Sequence, residues 1–111
     1  GNITGTAGDG VNIGGDDNEV TGNDIGGGDD GVEIDGIGNT VEADGDITGT
    51  AGDGVGITGS GNTVEGNAIG GGDDGVEIDG FDNEVSADGN ITGTAGDGVN
   101  IDGFDNDVTA N

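Results

Sequence analysis

The chain has no lysine, arginine or histidine to set against its 25 aspartates and glutamates, which leaves a net charge of −25. Nucleic acids and anionic lipid surfaces are bound through Lys and Arg, so both are poor partners for it. Cations and basic surfaces are its natural counterparts. With no His, Cys or Lys, the usual neutral-pH general bases and nucleophiles are missing. The absence of cysteine also excludes disulfides and thiol ligation. No apolar run approaches the roughly 18 residues of a membrane-spanning helix, so membrane insertion is not expected. Leu, Pro, Met, Trp, Tyr and Gln are missing too, and Phe81 and Phe104 are the only aromatics. No initiator methionine or leader stands at the start, so the chain reads as a processed product or a piece of a longer one. At 111 residues it is one domain-sized unit, and an apolar content of 27% would by composition alone suggest disorder.

What is present overrules that suggestion. Isoleucines fall every 22 residues, at Ile3, Ile25, Ile47, Ile69 and Ile91. Each is followed by a Val-x-Ile triplet: Val11/Ile13, Val32/Ile34, Val55/Ile57, Val76/Ile78 and Val99/Ile101. Each triplet is followed by Asn-x-Val, with its asparagine at Asn18, Asn39, Asn62, Asn83 or Asn106. A fixed period of this length marks a solenoid, whose repeats bury their apolar sides against their neighbours.

Local chemistry makes the repeat a β coil. The 31 glycines recur every few positions and no i, i+3, i+4 apolar stripe exists, so helix is disfavoured. In Val32-Glu33-Ile34-Asp35 the apolar residues point to one side and the acids to the other. Gly, Asn and Asp punctuate between such segments and supply positive-φ corners. Three short strands and three corners per repeat give an all-β parallel helix of five coils, over residues 1–22, 23–44, 45–66, 67–88 and 89–111. The Ile and Val residues named above form its interior ladders. A second period overlies the first. Coils one, three and five carry Ile-Thr-Gly-Thr-Ala-Gly-Asp-Gly-Val, whereas two and four carry the shorter Ile-Gly-Gly-Gly-Asp-Asp-Gly-Val, so the true unit is a 44-residue pair. Neither end shows a cap, and Val108-Thr-Ala-Asn111 read into Gly1-Asn2-Ile3 closely matches the internal corner from Val85 to Ile91. Axial continuation is therefore expected, through further covalent repeats or head-to-tail stacking of copies.

The acids recur at corners. Asp9, Asp29, Asp30, Asp53, Asp73, Asp74 and Asp97 are expected at one corner, and Asp16, Asp17, Asp82 and Asp105 at another. Stacked about 4.8 Å apart, they repel by about 1 kcal/mol per pair even in a water-like medium. A rod of this charge carries about one negative charge per Å, denser than the ~1.7 Å per charge of duplex DNA. It should condense divalent cations. Ca²⁺ fits best, as a hard ion taking carboxylate and carbonyl oxygens in flexible geometry, and a solvated acidic surface with diffuse counterions is the alternative. Thr4/Thr6, Thr48/Thr50 and Thr92/Thr94 form Thr rows interrupted by Gly26/Gly28 and Gly70/Gly72, which suits ordinary strand residues better than a regular ice-binding lattice. Asn2-Ile-Thr4 and Asn90-Ile-Thr92 fit the glycosylation sequon, which the repeat also makes of itself. Phe81 and Phe104 share a repeat position with Ile37 and Ser60, where they either pack into a corner or offer a sugar-stacking platform. No position breaks the repeat in the way a catalytic site requires, so an enzyme is not expected.

The run Gly-Val-x-Ile-x-Gly-x-x-Asn-x-Val-x-Gly-Asn-x-Ile, clearest from Gly54 to Ile69 and from Gly10 to Ile25, resembles the right-handed parallel β-helix repeats of the pectin-lyase-like superfamily. The resemblance covers the whole chain. It implies a right-handed coil and a hydrogen-bonded ladder of the five repeat asparagines at one corner. Lyases of that superfamily use Lys or Arg bases and clamps, which this chain lacks, so the resemblance implies a structural, non-catalytic segment. The expected role is the shaft of an acidic extracellular or cell-surface filament that self-associates axially and is stabilised by divalent cations. The alternatives are a stalk of a repeat adhesin, an accessory β-helix beside a catalytic domain, or a carbohydrate- or ice-binding module.

Overall fold

A computed structural model describes all residues, 1–111. Fifteen strands and no helix make up the chain, three strands to a coil. The first strand of each coil holds the isoleucine: β1 (Ile3–Thr4), β4 (Ile25–Gly27), β7 (Ile47–Gly49), β10 (Ile69–Gly71) and β13 (Ile91–Gly93). The second holds Val-x-Ile: β2 (Val11–Ile13), β5 (Val32–Ile37), β8 (Val55–Ser60), β11 (Val76–Phe81) and β14 (Val99–Phe104). The third follows the asparagine: β3 (Glu19–Gly22), β6 (Thr40–Ala43), β9 (Thr63–Gly66), β12 (Glu84–Ala87) and β15 (Asp107–Ala110). Each set forms one five-stranded parallel sheet in coil order, with Ile on Ile and Val on Val throughout. The chain is a three-sided β-solenoid, measuring 30 × 27 × 24 Å.

The register follows from burial. A one-residue slip would turn every inward Ile and Val outward, so the alternation in β5, β8 and β11 holds each coil over the last. Ile25, Ile34, Ile47, Ile69, Ile78 and the valines of the middle coils are fully buried, each stabilising the coil by about 1.5–3 kcal/mol. The interior ladder is incomplete at one end. Val99 and Ile101, expected inside, are 40% and 41% exposed, whereas Val11 and Ile13 in the first coil are only 7% exposed. Each Val-x-Ile pair is therefore covered chiefly by the coil that follows it. Ile3, Val20, Ile91 and Val108 pack against the core while half-buried.

The corner after the second strand is made the same way five times. Asp17, Gly38, Gly61, Asp82 and Asp105 all adopt φ between 55° and 68°, the left-handed region that Gly and Asp tolerate best. Within the preceding strand, Gly59 has φ 141°, and a Cβ there would overlap the Gly36 carbonyl oxygen one coil away. Gly59→Ala is therefore expected to destabilise the fold by about 1–3 kcal/mol through backbone strain. A urea titration checks this, and Gly1→Ala, at a position with nothing within 4 Å, should leave stability unchanged in it.

Candidate metal centre

The seven aspartates expected at one corner divide into two rows. Asp9, Asp30, Asp53, Asp74 and Asp97 form a continuous ladder through all five coils. Each carboxylate Oδ1 accepts the backbone N–H of the aspartate one coil later: Asp30 onto Asp9 at 3.3 Å, Asp53 onto Asp30 at 2.7 Å, Asp74 onto Asp53 at 3.0 Å and Asp97 onto Asp74 at 2.6 Å. Asp29 and Asp73 lie outside it. Their backbones bond to Gly8 and Gly52, so their row alternates aspartate with glycine and their carboxylates are two coils apart. The one-residue difference between odd and even coils causes this, because the Asp-Asp of an even coil faces the Gly-Asp of an odd one.

Two glutamates complete the arrangement. Glu33 and Glu77 are the outward residues of their Val-x-Ile triplets, three positions after Asp30 and Asp74. One carboxylate oxygen each from Asp9, Asp30 and Glu33 lie within 4.8 Å of one another, and Asp53, Asp74 and Glu77 repeat the cluster. The two clusters are related by the 44-residue pair, as 9/53, 30/74 and 33/77. Asn12 Nδ2 donates to Asp9 Oδ2 and Glu33 Oε2, both at 2.7 Å, and so stitches the first cluster together. Asn100 Nδ2 reaches Asp74 Oδ2 at 3.3 Å in the second.

The outward row containing the glutamates reads Asn12, Glu33, Gly56, Glu77, Asn100. Gly56 interrupts it, and the missing side chain opens a cavity of about 250 Å³. Glu33 and Glu77 stand on either side, and Asp30, Asp53, Asp35 and Asp79 also line it. Gly56 is thus a local departure from the repeat with a structural effect.

Partial burial, with crowding second, raises the proton affinity of Asp53, Asp30 and Glu33. Asp53 is pushed up to about 6, first by partial burial, then by a hydrogen bond to Glu77 and the charges of Glu77 and Asp74; the Asp74 N–H bond opposes the rise. Asp30 is raised by partial burial and by the charges of Asp53, Asp9 and Asp29, against the lowering effect of the Asp53 N–H. Glu33 is raised by burial, by a hydrogen bond to Asp9 and by the charges of Asp9, Asp30 and Asp35.

The donor set suits a hard cation. Ca²⁺ sits 2.3–2.6 Å from its oxygens, so ligands on opposite sides of one ion are about 5 Å apart. Three carboxylate oxygens within 4.8 Å can therefore reach one ion, leaving room for water in the rest of its shell. An octahedral Mg²⁺ at ~2.0 Å demands tighter geometry than flexible acid side chains on two coils impose.

The other candidate residues lie elsewhere. Asn18, Asn39, Asn62, Asn83 and Asn106 are joined amide to amide at 3.0–3.1 Å, and Asn39, Asn62 and Asn83 are fully buried. Asn2 and Asn90 are exposed, and Asn2 Nδ2 donates to Asp24 Oδ2 at 3.0 Å. Thr4, Thr48 and Thr92 share one row of the first sheet, separated by Gly26 and Gly70, and Thr6, Thr50 and Thr94 lie beyond its strands. Phe81 and Phe104 do not pack into the corner; they stack on each other outside it, with ring centroids 5.1 Å apart and planes 4° from parallel.

No family model, curated protein or solved structure matches the chain. Topology and site geometry are the grounds for a functional reading.

Proposed function

We propose that the chain is a length of acidic structural shaft, extracellular or on a cell surface, that continues along its axis and takes up divalent cations, Ca²⁺ foremost, along the ladder from Asp9 to Asp97. The observation that carries this reading is the unbroken register of all three sheets, in which every strand pairs with its equivalent one coil away. Such a stack has no internal reason to stop. The uncovered inner face at Val99 and Ile101 supports the packing of another coil there, of the same chain or of another copy. At 30 × 27 × 24 Å, five coils are as broad as they are tall, so shaft character comes from continuation. The repeat's likeness to the pectin-lyase-like superfamily supports a structural member of that group. The lack of any Lys or Arg supports a non-catalytic one.

Electron microscopy and sedimentation in calcium and in chelator test the reading. Fibres roughly as thick as the solenoid, with the ~4.8 Å axial spacing of stacked coils, are expected in calcium. A monodisperse monomer in calcium at high concentration would rule out axial self-association.

A further inference from the structure

The corner row Asp16, Ile37, Ser60, Phe81, Phe104 is the one place where large apolar side chains stand outside the solenoid. Ile37 is 56% exposed and Phe81 43% exposed, and both lie on inner coils with neighbours above and below. Their exposure is a property of the corner. The platform is firm, because backbone bonds run along it from Asp17 N–H to the Ile37 carbonyl at 3.0 Å, Gly38 to Ser60 at 3.0 Å, Gly61 to Phe81 at 3.2 Å and Asp82 to Phe104 at 3.3 Å.

The row has a gap. One face of the Phe81 ring is covered by Phe104, stacked at 5.1 Å. The other faces the coil of Ser60, whose short side chain cannot cover a ring, and the next large residue is Ile37. Two coil steps, about 9.6 Å, separate the backbones of Ile37 and Phe81. A planar group inserted over Ser60 would lie on the open face of Phe81 and against Ile37.

Charge decides which planar group. Exposed Asp79 and Asp82 flank Phe81 in sequence, Asp102 and Asp105 flank Phe104, and Asp35 precedes Ile37 by two residues. The chain supplies no positive charge of its own to neutralise them. A second copy would bring another −25 to the same place. A neutral sugar would stack on the ring but gain nothing from the field. A guanidinium gains from both, because it is planar, stacks on aromatic faces and keeps its charge. We propose that this corner is a docking ledge for an extended basic polypeptide segment, with an arginine side chain lying over Ser60 against Phe81 and flanking basic residues along the aspartates.

The test is binding of a labelled hexa-arginine peptide, with hexa-lysine as the purely electrostatic comparison, at fixed ionic strength in chelator. Phe81→Ala removes the stacking face, and Ser60→Phe fills the gap; neither changes the charge. A stacked cation at an exposed site contributes enough that each variant should weaken hexa-arginine about two- to fivefold and leave hexa-lysine unchanged. Circular dichroism confirms that each variant keeps its β signal, and Phe81→Leu supplies a second variant should Phe81→Ala unfold. Equal effects on both peptides, or none on either, would overturn the proposal in favour of counterion attraction alone. A neutral oligosaccharide, or self-association, that depends on Phe81 while hexa-arginine does not would overturn it in favour of those occupants.

Discussion

Acidifying the protein from pH 7 to pH 5 is expected to raise its melting temperature by several degrees, opposite to the usual behaviour of carboxylate-stabilised folds. The folded pKa of Asp53 is about 6, against 3.8 for a free aspartate. Between those values the folded state binds more protons than the unfolded one, so stability falls as pH rises. The contribution is complete below about pH 4 and lost as pH climbs through 6. Asp30 and Glu33 are shifted the same way and add to it. At pH 7 the partly buried, crowded carboxylates of Asp30, Asp53 and Glu33 therefore weaken the fold, and a divalent ion should relieve this as a proton does. Calcium should raise the melting temperature at pH 7 and do so less at pH 5, where a proton already occupies Asp53. Asp53→Asn should raise the melting temperature at pH 7 and flatten the pH dependence. A steady loss of stability from pH 7 to pH 5, with no response to calcium, would sink both the linkage argument and the cation reading.

Asn62→Ala should cost about 3–5 kcal/mol in a denaturant titration, a large share of the 5–15 kcal/mol typical of a domain. Asn62 Oδ1 accepts from Asn39 N–H at 2.9 Å and Asn39 Nδ2 at 3.1 Å. Its Nδ2 donates to the Gly36 carbonyl and to Asn83 Oδ1, both at 3.0 Å. Truncation takes the partner from the Asn39 N–H and one from the Gly36 carbonyl, at about 1–3 kcal/mol each, while Asn39 Nδ2 keeps the Gly15 carbonyl and Asn83 Oδ1 keeps the residue 62 N–H. Asn106→Ala is the comparison. Asn106 is half-buried at the last coil, where water can replace the lost bonds, so the loss should be well under half as large. Equal losses at the two positions would contradict the burial argument.

The three sheets were legible in the chain because their signal is redundant. Ile47, Val55 and Ile57 say the same thing as Ile69, Val76 and Ile78, and the spacing has only one all-parallel solution. The candidate metal centre is legible in part. Asp9, Asp30, Asp53, Asp74 and Asp97 follow from the corner pattern. Glu33 and Glu77 do not, because an outward acid in a strand looks like any solvated residue until the strand is placed beside a corner. Their separation of 44 residues, matching that of Asp30 and Asp74, was the available signal. Asp29 and Asp73 stand at the same corner in a separate row, because a one-residue offset between alternate coils decides which aspartate faces which. Gly56 acts as a gap because Glu33 and Glu77 stand on either side of it in the row. The exposure of Val99 and Ile101 depends on the direction in which side chains lean along the axis, and strand alternation does not report that direction.

The asparagine column has a sense of direction. Each side-chain amide donates toward the following coil and accepts from the preceding one, four times in succession from Asn18 to Asn106. The amide dipoles therefore add, each polarising the next. An upside-down coil would set oxygen against oxygen and break the chain of donors. Any assembly that continues this stack must therefore be polar, with two chemically unlike tips.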